Sequence, residues 1–494
     1  MISSISLEIT VLLLGIFLLL SESFSKTDDK RGLAKTAIAI LFALIGFSFF
    51  ARADVGDLAP FYVADATALF FKRIALLTTV IVLIMALEYR SVLAKFVPSV
   101  TPGAGLGEFY SLPVFTCAGL MFMASAVDFI LIFVSLELVT ISFYILVAYM
   151  RRQSASLEAG VKYLILGALS TGFLVYGITW IFGVTGQTNL AAIETALQSG
   201  HVPQAPLLFG VVLVLIALGF KVAAAPFQLW VPDVYQGAPT PVTAFLSVGS
   251  KAAGFIVLLR VLQPFLVIPV VGAKILMVLG LIAAATLLYG NLAALPQDNF
   301  KRLLAYSSIA HAGYLLVAVA SVSASPEGFG SSRIAVAYYL AGYLLMTLLS
   351  FLVLIVVANH SRGDDIVHFN GLAKRSPFLA FGLLTAMLSL AGIPFTVGFI
   401  GKFLVFAAAV KAGNYMLIGV GIITVAAGFY YYLRVVAAMY WTEPGDDTPI
   451  TIAPLTRFAI GALTLAIFVF GIFPQPILNS LRGVPIESRA VVQK

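Results

Sequence analysis

The sequence is poor in charged residues and almost lacks cysteine. Charged residues make up 10% of its 494 positions and hydrophobic residues 61%, and the mean hydropathy is +1.06. Soluble domains average about 25% charged and 45–50% apolar residues, so a soluble fold is excluded. The one cysteine, Cys117, excludes an internal disulfide and leaves no thiolate set for an iron–sulfur cluster or a zinc ion. Redox cofactors, if the activity needs them, are expected in other chains.

The sequence also lacks the short motifs of common enzyme and nucleotide sites. It contains no Walker lysine, no His-Glu-x-x-His motif, no paired-cysteine metal motif and no credible nucleophile triad. Its formal charge of +7 comes from 29 basic and 22 acidic residues. In a membrane protein such a surplus is typical of cytoplasmic loops, and it does not indicate a nucleic-acid partner.

Long hydrophobic runs separated by short polar connections predict an all-α polytopic membrane protein with about fourteen transmembrane helices. Basic residues concentrate on one set of alternate connections, and this side of the membrane is predicted to be cytoplasmic. With this orientation both termini face the periplasm or exterior. The connections on the cytoplasmic side carry Lys26, Lys30, Arg31, Arg90, Lys95, Arg151, Arg152, Lys301, Arg302, Arg362, Lys374, Arg375 and Arg457.

Two hydrophobic segments contain a proline near their middle, Pro226 and Pro394. Proline removes a backbone donor, which lipid cannot replace, so both are predicted to be discontinuous helices whose free carbonyls bind protein or water. Paired interrupted helices are typical of transporter cores built from inverted repeats. Charged or polar residues recur at similar but scattered offsets, so the repeat is a hypothesis: the pairs are Lys221 with Lys402, Glu137 with His311, and Lys251 with Arg434.

Four ionisable residues are predicted to lie near the middle of the membrane: Glu137, Lys221, Lys251 and Lys402. A charge at the centre of a membrane helix costs about 2.5–3.5 kcal/mol on insertion scales, so each needs a partner, water or both. One interpretation is a buried ion pair between Glu137 and one lysine that only fixes helix register. This leaves two lysines unexplained. The flexible stem of lysine suits proton exchange better than rigid pairing, which favours a proton relay.

Other ionisable residues allow two interpretations. His311 lies near mid-span and suits proton passage, although a lone histidine can also be an ordinary hydrogen-bonded interior residue. Lys162 and Arg434 are predicted to lie within the membrane, with extension of the side chain to the interface as the alternative. Three residues closer to helix ends are interpreted as interfacial: Lys72, Asp128 and Arg260.

Several stretches resemble the antiporter-like membrane subunits of respiratory complex I, and within them the subunit N branch, the counterpart of mitochondrial subunit 2. The resemblance covers essentially the whole chain to about residue 475. A lysine at position 402, where some sister subunits carry glutamate, favours this branch. The stretches are Phe220 to Lys251, Asn299 to Leu315 (NFKRLLAYSSIAHAGYL), Leu390 to Phe403 (LAGIPFTVGFIGKF), Ser135 to Leu138 and Gly160 to Leu164.

The resemblance implies a fourteen-helix subunit with two inverted five-helix repeats, packed beside sister subunits in the membrane arm of a complex in the bacterial inner membrane. It divides the chain into a three-helix segment (1–110), a first repeat (111–264), a second repeat (265–441) and a C-terminal helix and tail (442–494). It implies no cofactor in this chain, with NADH, flavin, iron–sulfur clusters and quinone bound by partner subunits.

The resemblance also implies a role for each buried charge. Glu137 and Lys221 would form a modulating pair, Lys251 would connect the half-channels, and Lys402 would pass protons toward the outside. Lys162 and His311 would be supporting positions. The implied function is proton translocation driven by electron transfer from NADH to quinone elsewhere in the complex.

Two alternatives stay open on the residues alone. The chain could be the homologous subunit of a cation/proton antiporter complex or of a membrane-bound hydrogenase, because the same charges would serve there. It could also be a structural subunit that only holds a membrane arm together.

Overall fold

The structure is a computed structural model that describes residues 2–24, 29–52, 58, 60–98, 106–322, 326–361, 363–444 and 449–482. Two of the basic residues used for the orientation, Lys26 and Arg362, lie outside these residues. The described part is mainly α-helical. It also contains one parallel pair of two-residue strands, β1 (Ile2–Ser3) and β2 (Ala51–Arg52).

Twenty-one α-helices lie in the described residues. The first ten are α1 (Ile5–Phe24), α2 (Arg31–Phe47), α3 (Ala66–Glu88), α4 (Arg90–Phe96), α5 (Gly107–Ser125), α6 (Phe129–Val147), α7 (Ser154–Thr185), α8 (Leu190–Gln198), α9 (Gln204–Val222) and α10 (Trp230–Gly237). The others are α11 (Thr240–Phe245), α12 (Lys251–Leu262), α13 (Pro269–Ala294), α14 (Phe300–Ala320), α15 (Pro326–Ser361), α16 (Leu372–Arg375), α17 (Pro377–Ala391), α18 (Val397–Lys411), α19 (Tyr415–Trp441), α20 (Pro454–Ile472) and α21 (Gln475–Arg482).

Twelve helical segments of the described chain are long and apolar enough to cross a membrane, which confirms the predicted class. One of them joins α11 and α12 through a short π-helical stretch, Leu246–Ser250. The shorter helices α17 and α18 are not among the twelve, and neither is α5. The total of fourteen spans therefore stays a prediction.

The first predicted break is present at Pro226. Helix α9 ends at Val222, and Ala223 takes a left-handed backbone conformation with φ 64°. Helical structure resumes only at Trp230, where α10 begins. A residue with a side chain seldom adopts positive φ, so the surrounding packing holds this turn in place.

The second predicted break is present at Pro394. Helix α17 ends at Ala391, and Gly392 has φ 92°, a conformation that glycine adopts without strain. Phe395 also has positive φ, 68°, and α18 begins two residues later at Val397. Both interrupted helices predicted from proline thus occur, each with a left-handed residue directly after its first half.

The helices differ in how far they are enclosed. All residues in the most apolar stretches of α14 and of the α11–α12 segment are buried, and nearly all of those in α15 are. Most residues of α1, α2 and α7 are not buried in the chain itself. Side chains on α12, α14 and α15 therefore lie in the interior, where a charge must find its partner within the protein.

The predicted division of the chain stays a prediction, but its boundaries can be located. The boundary at 110/111 falls within α5, since this helix already begins at Gly107. The boundary at 264/265 falls in the short 3₁₀ turn between α12 and α13. The boundary at 441/442 coincides with the end of α19.

Candidate functional site

Glu137 and Lys221 are neighbours but do not form the expected ion pair. The Glu137 carboxylate on α6 is partly exposed and accepts a hydrogen bond of 2.8 Å from the Thr171 hydroxyl on α7. The Lys221 ammonium, on the last turn of α9, donates instead to the hydroxyl of Thr140, one turn after Glu137. Lys221 remains within electrostatic range of Glu137. Each of the two charges is thus held by its own threonine.

Lys251 lies at the start of α12, directly after the π-helical stretch Leu246–Ser250. Its side chain is 2% exposed. The ammonium donates to both the backbone carbonyl and the hydroxyl of Ser308 on α14. It also lies 5.2 Å from the centre of the Tyr343 ring. No carboxylate of the described residues lies within 4 Å of this ammonium, so its hydrogen-bond partners are uncharged.

His311, one turn after Ser307 and Ser308 on α14, lies between two tyrosine hydroxyls. Its Nδ1 is 2.7 Å from the Tyr339 hydroxyl, and its Nε2 is 3.1 Å from that of Tyr432. Tyr432 is also hydrogen-bonded to Ser307. Both ring nitrogens therefore have a partner that can donate or accept a proton. Lys251 and Lys402 both lie within electrostatic range of the ring, so His311 is near both lysines.

Lys402 binds the interrupted helix itself. Its ammonium donates to the backbone carbonyls of Leu390 at 3.0 Å and Ala391 at 2.7 Å. These carbonyls belong to the last turn of α17, where the break at Gly392 removes their helical partners. The negative end of the helix dipole also favours a cation at this position. The Tyr314 ring centre lies 5.1 Å from the ammonium and the side chain is 8% exposed.

We call Glu137, Lys221, Lys251, His311 and Lys402 the row of ionisable groups. Lys162 lies apart from this row. Its side chain is 41% exposed and forms ion pairs of 2.7 Å with Glu158 and with Asp233 on α10. Asp233 also pairs with Arg302 on α14 at 3.1 Å. Lys162 therefore belongs to an exposed cluster of charges and is not buried with the other lysines. The sequence reasoning did not single out Asp233 or Arg302 as its partners.

A second group of buried charges lies outside the predicted row. Lys72 on α3 and Glu8 on α1 form an ion pair of 2.7 Å, and both side chains are fully buried. The Lys72 ammonium also donates to the Ser4 and Tyr62 hydroxyls. Lys72 is therefore buried within the chain, while its interpretation as an interfacial residue stays a prediction. Its partner lies 64 positions away, so only helix packing could bring the two charges together.

The interior row also contains tyrosines that the sequence reasoning did not identify. We define the tyrosine cage as the four rings nearest His311 and Lys402: Tyr314, Tyr339, Tyr343 and Tyr432. Tyr339 and Tyr343 are four residues apart and so lie on one face of α15. This spacing is visible in the sequence, but aromatic residues at helical spacing usually indicate ordinary packing.

Further hydroxyl groups lie close to Lys251 and Ser308. The Ser308 hydroxyl is 3.2 Å from that of Tyr235 on α10, and Ser247 is 3.1 Å from Tyr343. Lys251 thus contacts Ser308 and the Tyr343 ring, His311 contacts the tyrosine cage, and Lys402 lies near the Tyr314 ring. Among the described residues, no three of His, Cys, Asp and Glu are grouped to hold a metal ion. The predicted absence of a cofactor remains a prediction.

Comparison with known proteins defines the class. Residues 126–428 match the membrane family described as "NADH:quinone oxidoreductase/Mrp antiporter, TM", and this match covers Glu137, Lys221, Lys251, His311 and Lys402. A chain of respiratory complex I from Thermus thermophilus is 31% identical and has a similar fold, with a TM-score of 0.79 over 96% of this chain and 99% of that one.

The branch of the family follows from a curated relative. The chain is 40% identical over 486 residues to NADH-quinone oxidoreductase subunit N of Trichlorobacter lovleyi, which covers 96% of this chain and 94% of the relative. The chain therefore belongs to the subunit N family, which confirms the resemblance seen in its motifs. A chain of the Mrp complex from Dietzia shares the fold, with a TM-score of 0.80, but only 19% identity over 97% of this chain and 96% of that one.

Proposed function

We propose that this chain is the subunit N of a bacterial NADH-quinone oxidoreductase and moves protons across the inner membrane as part of the membrane arm. Quinone reduction in other subunits supplies the driving force. In this proposal the chain holds no redox centre, and NADH, flavin, iron–sulfur clusters and quinone are bound by its partners. Both termini face the periplasm. The family membership and the interior row of ionisable groups support this proposal.

The observation that carries the proposal is the state of Lys251 and Lys402. Both ammonium groups are buried, and each is held only by neutral carbonyl or hydroxyl oxygens. A buried charge without a counterion is much less stabilised than one in a close ion pair, so its proton is easier to release. Lys72, which contacts Glu8, shows the contrasting arrangement of a lysine held in a fixed ion pair.

The proposed relay begins at Glu137 and Lys221. Movement of the Glu137 carboxylate toward Lys221 would favour the charged lysine, and movement away would favour proton release. Lys251 receives protons near the Tyr235 and Ser308 hydroxyls and exchanges them with His311. Lys402 passes them toward the outside. Lys162 has a supporting role at the exposed cluster, where Asp233 and Arg302 also lie.

The interrupted helices support a water-accessible path at each end of the row. Lipid cannot donate hydrogen bonds to the carbonyls that a break leaves without a partner. Breaks are therefore tolerated where protein or water supplies the donor. At the second break Lys402 itself occupies two of these carbonyls. Rotation of the Lys402 side chain away from these two carbonyls would expose them to water, as expected at a half-channel.

The outer face of α6 supports the predicted partner subunits. Glu137 is partly exposed there, whereas the neighbouring exposed residues Val134 and Ile141 are apolar. A carboxylate facing lipid at membrane depth is strongly unfavourable. A sister subunit that covers this face would remove Glu137 from lipid and continue the row of charges beyond this chain.

The direct test compares variants in the complete complex, assayed in membrane vesicles. We expect Lys221→Met and Glu137→Gln to assemble but to lower NADH-driven acidification at least fivefold, because each removes a proton-holding group. Lys411→Met, at the exposed end of α18, is the control and should leave the rate unchanged. Normal pumping by both test variants would indicate a structural subunit instead.

Identification of the co-purified chains tests the assembly. Flavin and iron–sulfur subunits are expected if the chain serves the dehydrogenase. Sodium-dependent proton exchange without such subunits would instead assign it to a cation/proton antiporter complex. Hydrogen-dependent electron transfer by the purified assembly would assign it to a membrane-bound hydrogenase.

A further inference from the structure

The contact between α6 and α7, here called the seam, contains a buried hydroxyl that has no role in the relay as proposed above. Tyr144 lies on α6 seven residues after Glu137, so both point from the same face of the helix. The Tyr144 hydroxyl oxygen is buried and has no hydrogen-bond partner among the residues that the structure describes. Buried hydroxyl groups almost always have a partner, so this exception needs an explanation.

The position of this hydroxyl is built into the facing helix. A Cβ atom at Gly167 on α7 would lie only 2.2 Å from the Tyr144 hydroxyl oxygen, so glycine leaves the space that the hydroxyl occupies. The Tyr144 ring is packed edge-on against Tyr163, with ring centres 5.4 Å apart. The hydroxyl is thus fixed in a notch formed by α7 and does not simply point into a loose cavity.

The notch lies next to the present partner of Glu137. Thr171, which donates to the Glu137 carboxylate at 2.8 Å, follows Gly167 by one helical turn on the same face of α7. One turn of α-helix advances about 5.4 Å, a distance that rotation of a glutamate side chain can largely span. Tyr144 is also within electrostatic range of Glu137.

We propose that Tyr144 is a positioning residue that offers Glu137 a second hydrogen-bond donor. The carboxylate then has two places in the seam, one at the Thr171 hydroxyl and one at the Tyr144 hydroxyl. In either place a hydroxyl O–H donates to a carboxylate oxygen, and no covalent bond changes. The two places differ in their distance from Lys221, so the choice between them sets how strongly the carboxylate stabilises the Lys221 ammonium. The inference rests on the proposed function, because it requires Glu137 to act in the relay.

Two variants test the donor and its notch separately in the complete complex. Tyr144→Phe removes the hydroxyl and keeps the ring packed on Tyr163. Gly167→Ala keeps the hydroxyl but fills its space. We expect each to lower the initial rate of NADH-driven acidification of vesicles at least twofold. Gly172→Ala, on the same helix with open space at its Cβ, should leave the rate unchanged.

A second readout separates positioning from a general packing defect. The infrared carboxyl band that disappears in Glu137→Gln reports the hydrogen bonding of this side chain. We expect Tyr144→Phe to shift or narrow this band, because one of the two carboxylate positions is lost. Tyr176→Phe, which removes an exposed tyrosine hydroxyl on α7, should leave the band in place.

The outcomes distinguish this inference from the proposed function. If Glu137→Gln abolishes pumping while Tyr144→Phe keeps the wild-type rate and band, the positioning role is wrong and the relay stands. If Glu137→Gln pumps at the wild-type rate, both are wrong. If Gly167→Ala does not assemble, the Tyr144→Phe result alone decides.

Discussion

The two interrupted helices carry their lysines on opposite sides of the break. They also differ in which groups donate hydrogen bonds to the backbone carbonyls at the break. Lys221 precedes the first break, and Lys402 follows the second. At the first break the Phe220 carbonyl accepts a hydrogen bond from the Trp230 indole N–H at 3.2 Å. At the second, Lys402 binds the carbonyls of Leu390 and Ala391.

The two lysines also have different hydrogen-bond partners. At the first break the Trp230 indole and the Ala223 N–H donate to the Phe220 carbonyl, and the Lys221 ammonium donates to Thr140 close to Glu137. At the second break the Lys402 ammonium itself donates to the carbonyls of Leu390 and Ala391. Similar breaks thus hold one lysine near a carboxylate and the other near a helix end.

The strongest challenge to this comparison is Lys402→Met. It removes the donor from two carbonyls at once, and a buried polar group left without a partner costs about 1–3 kcal/mol. We expect a clear fall in the thermal unfolding temperature of the purified complex. Lys402→Arg, which can still donate, should recover most of it. A melting temperature equal to that of Lys221→Met would contradict the assigned role of Lys402 at the break.

Trp230→Phe tests the first break. The Phe220 carbonyl loses the indole donor but still accepts from the Ala223 N–H, so we expect the loss of one ordinary hydrogen bond, about 0.5–1.5 kcal/mol, smaller than for Lys402→Met. Trp441→Phe serves as the control, because Trp441 is 77% exposed at the end of α19. Chemical denaturation of the purified complex compares the variants. Equal stability of Trp230→Phe and the control would show that the indole hydrogen bond does not stabilise the first break.

Thr140→Val tests the hydrogen bond that holds Lys221, in contrast to the carbonyls that hold Lys402. The change keeps the side-chain shape but removes the hydroxyl that accepts from Lys221, and a typical hydrogen bond contributes about 0.5–1.5 kcal/mol. We expect a small loss of stability and altered pumping, since Lys221 would then interact more directly with Glu137. Thr179→Val, at an exposed position on α7, is the matched control in the vesicle acidification assay. Identical rates for both valine variants would contradict a role for Thr140.

The smallest expected effect concerns the backbone at the breaks. Ala223 has φ 64°, whereas the corresponding residue after α17 is a glycine. The left-handed conformation costs a non-glycine residue roughly 1–2 kcal/mol, although glycine loses more entropy on folding. We expect Ala223→Gly to leave stability unchanged or raise it by under about 1 kcal/mol. A marked decrease in unfolding temperature would mean that the Ala223 methyl group contributes packing that outweighs the strain.

Much of the architecture followed from local sequence features. The low charge and long apolar runs predicted a polytopic membrane protein, and Pro226 and Pro394 predicted both discontinuous helices. Of the ionisable residues predicted near the middle of the membrane, Lys221, Lys251, Lys402 and His311 are buried in the chain, whereas Glu137 is partly exposed. These predictions succeed because hydropathy and the missing donor of proline act within a single segment, whatever it packs against.

The contacts that define the candidate site could not be read in the same way. Lys162 fits the charge pattern but lies in an exposed cluster, and nothing in the sequence indicated that Lys72 pairs with Glu8. Such outcomes depend on which helix faces are opposed. That information is spread over residues far apart in the chain, as for His311 and Tyr432.

The amino-acid sequence by itself determined the membrane class, the family, the two interruptions and the ionisable residues available for proton transfer. Only the tertiary structure decided that Glu137 binds Thr171, that Lys251 binds Ser308, and that tyrosines surround His311. The physical reason is range. Hydropathy and backbone hydrogen bonding act along one helix, whereas the partner of a buried charge is set by packing between helices that are distant in sequence.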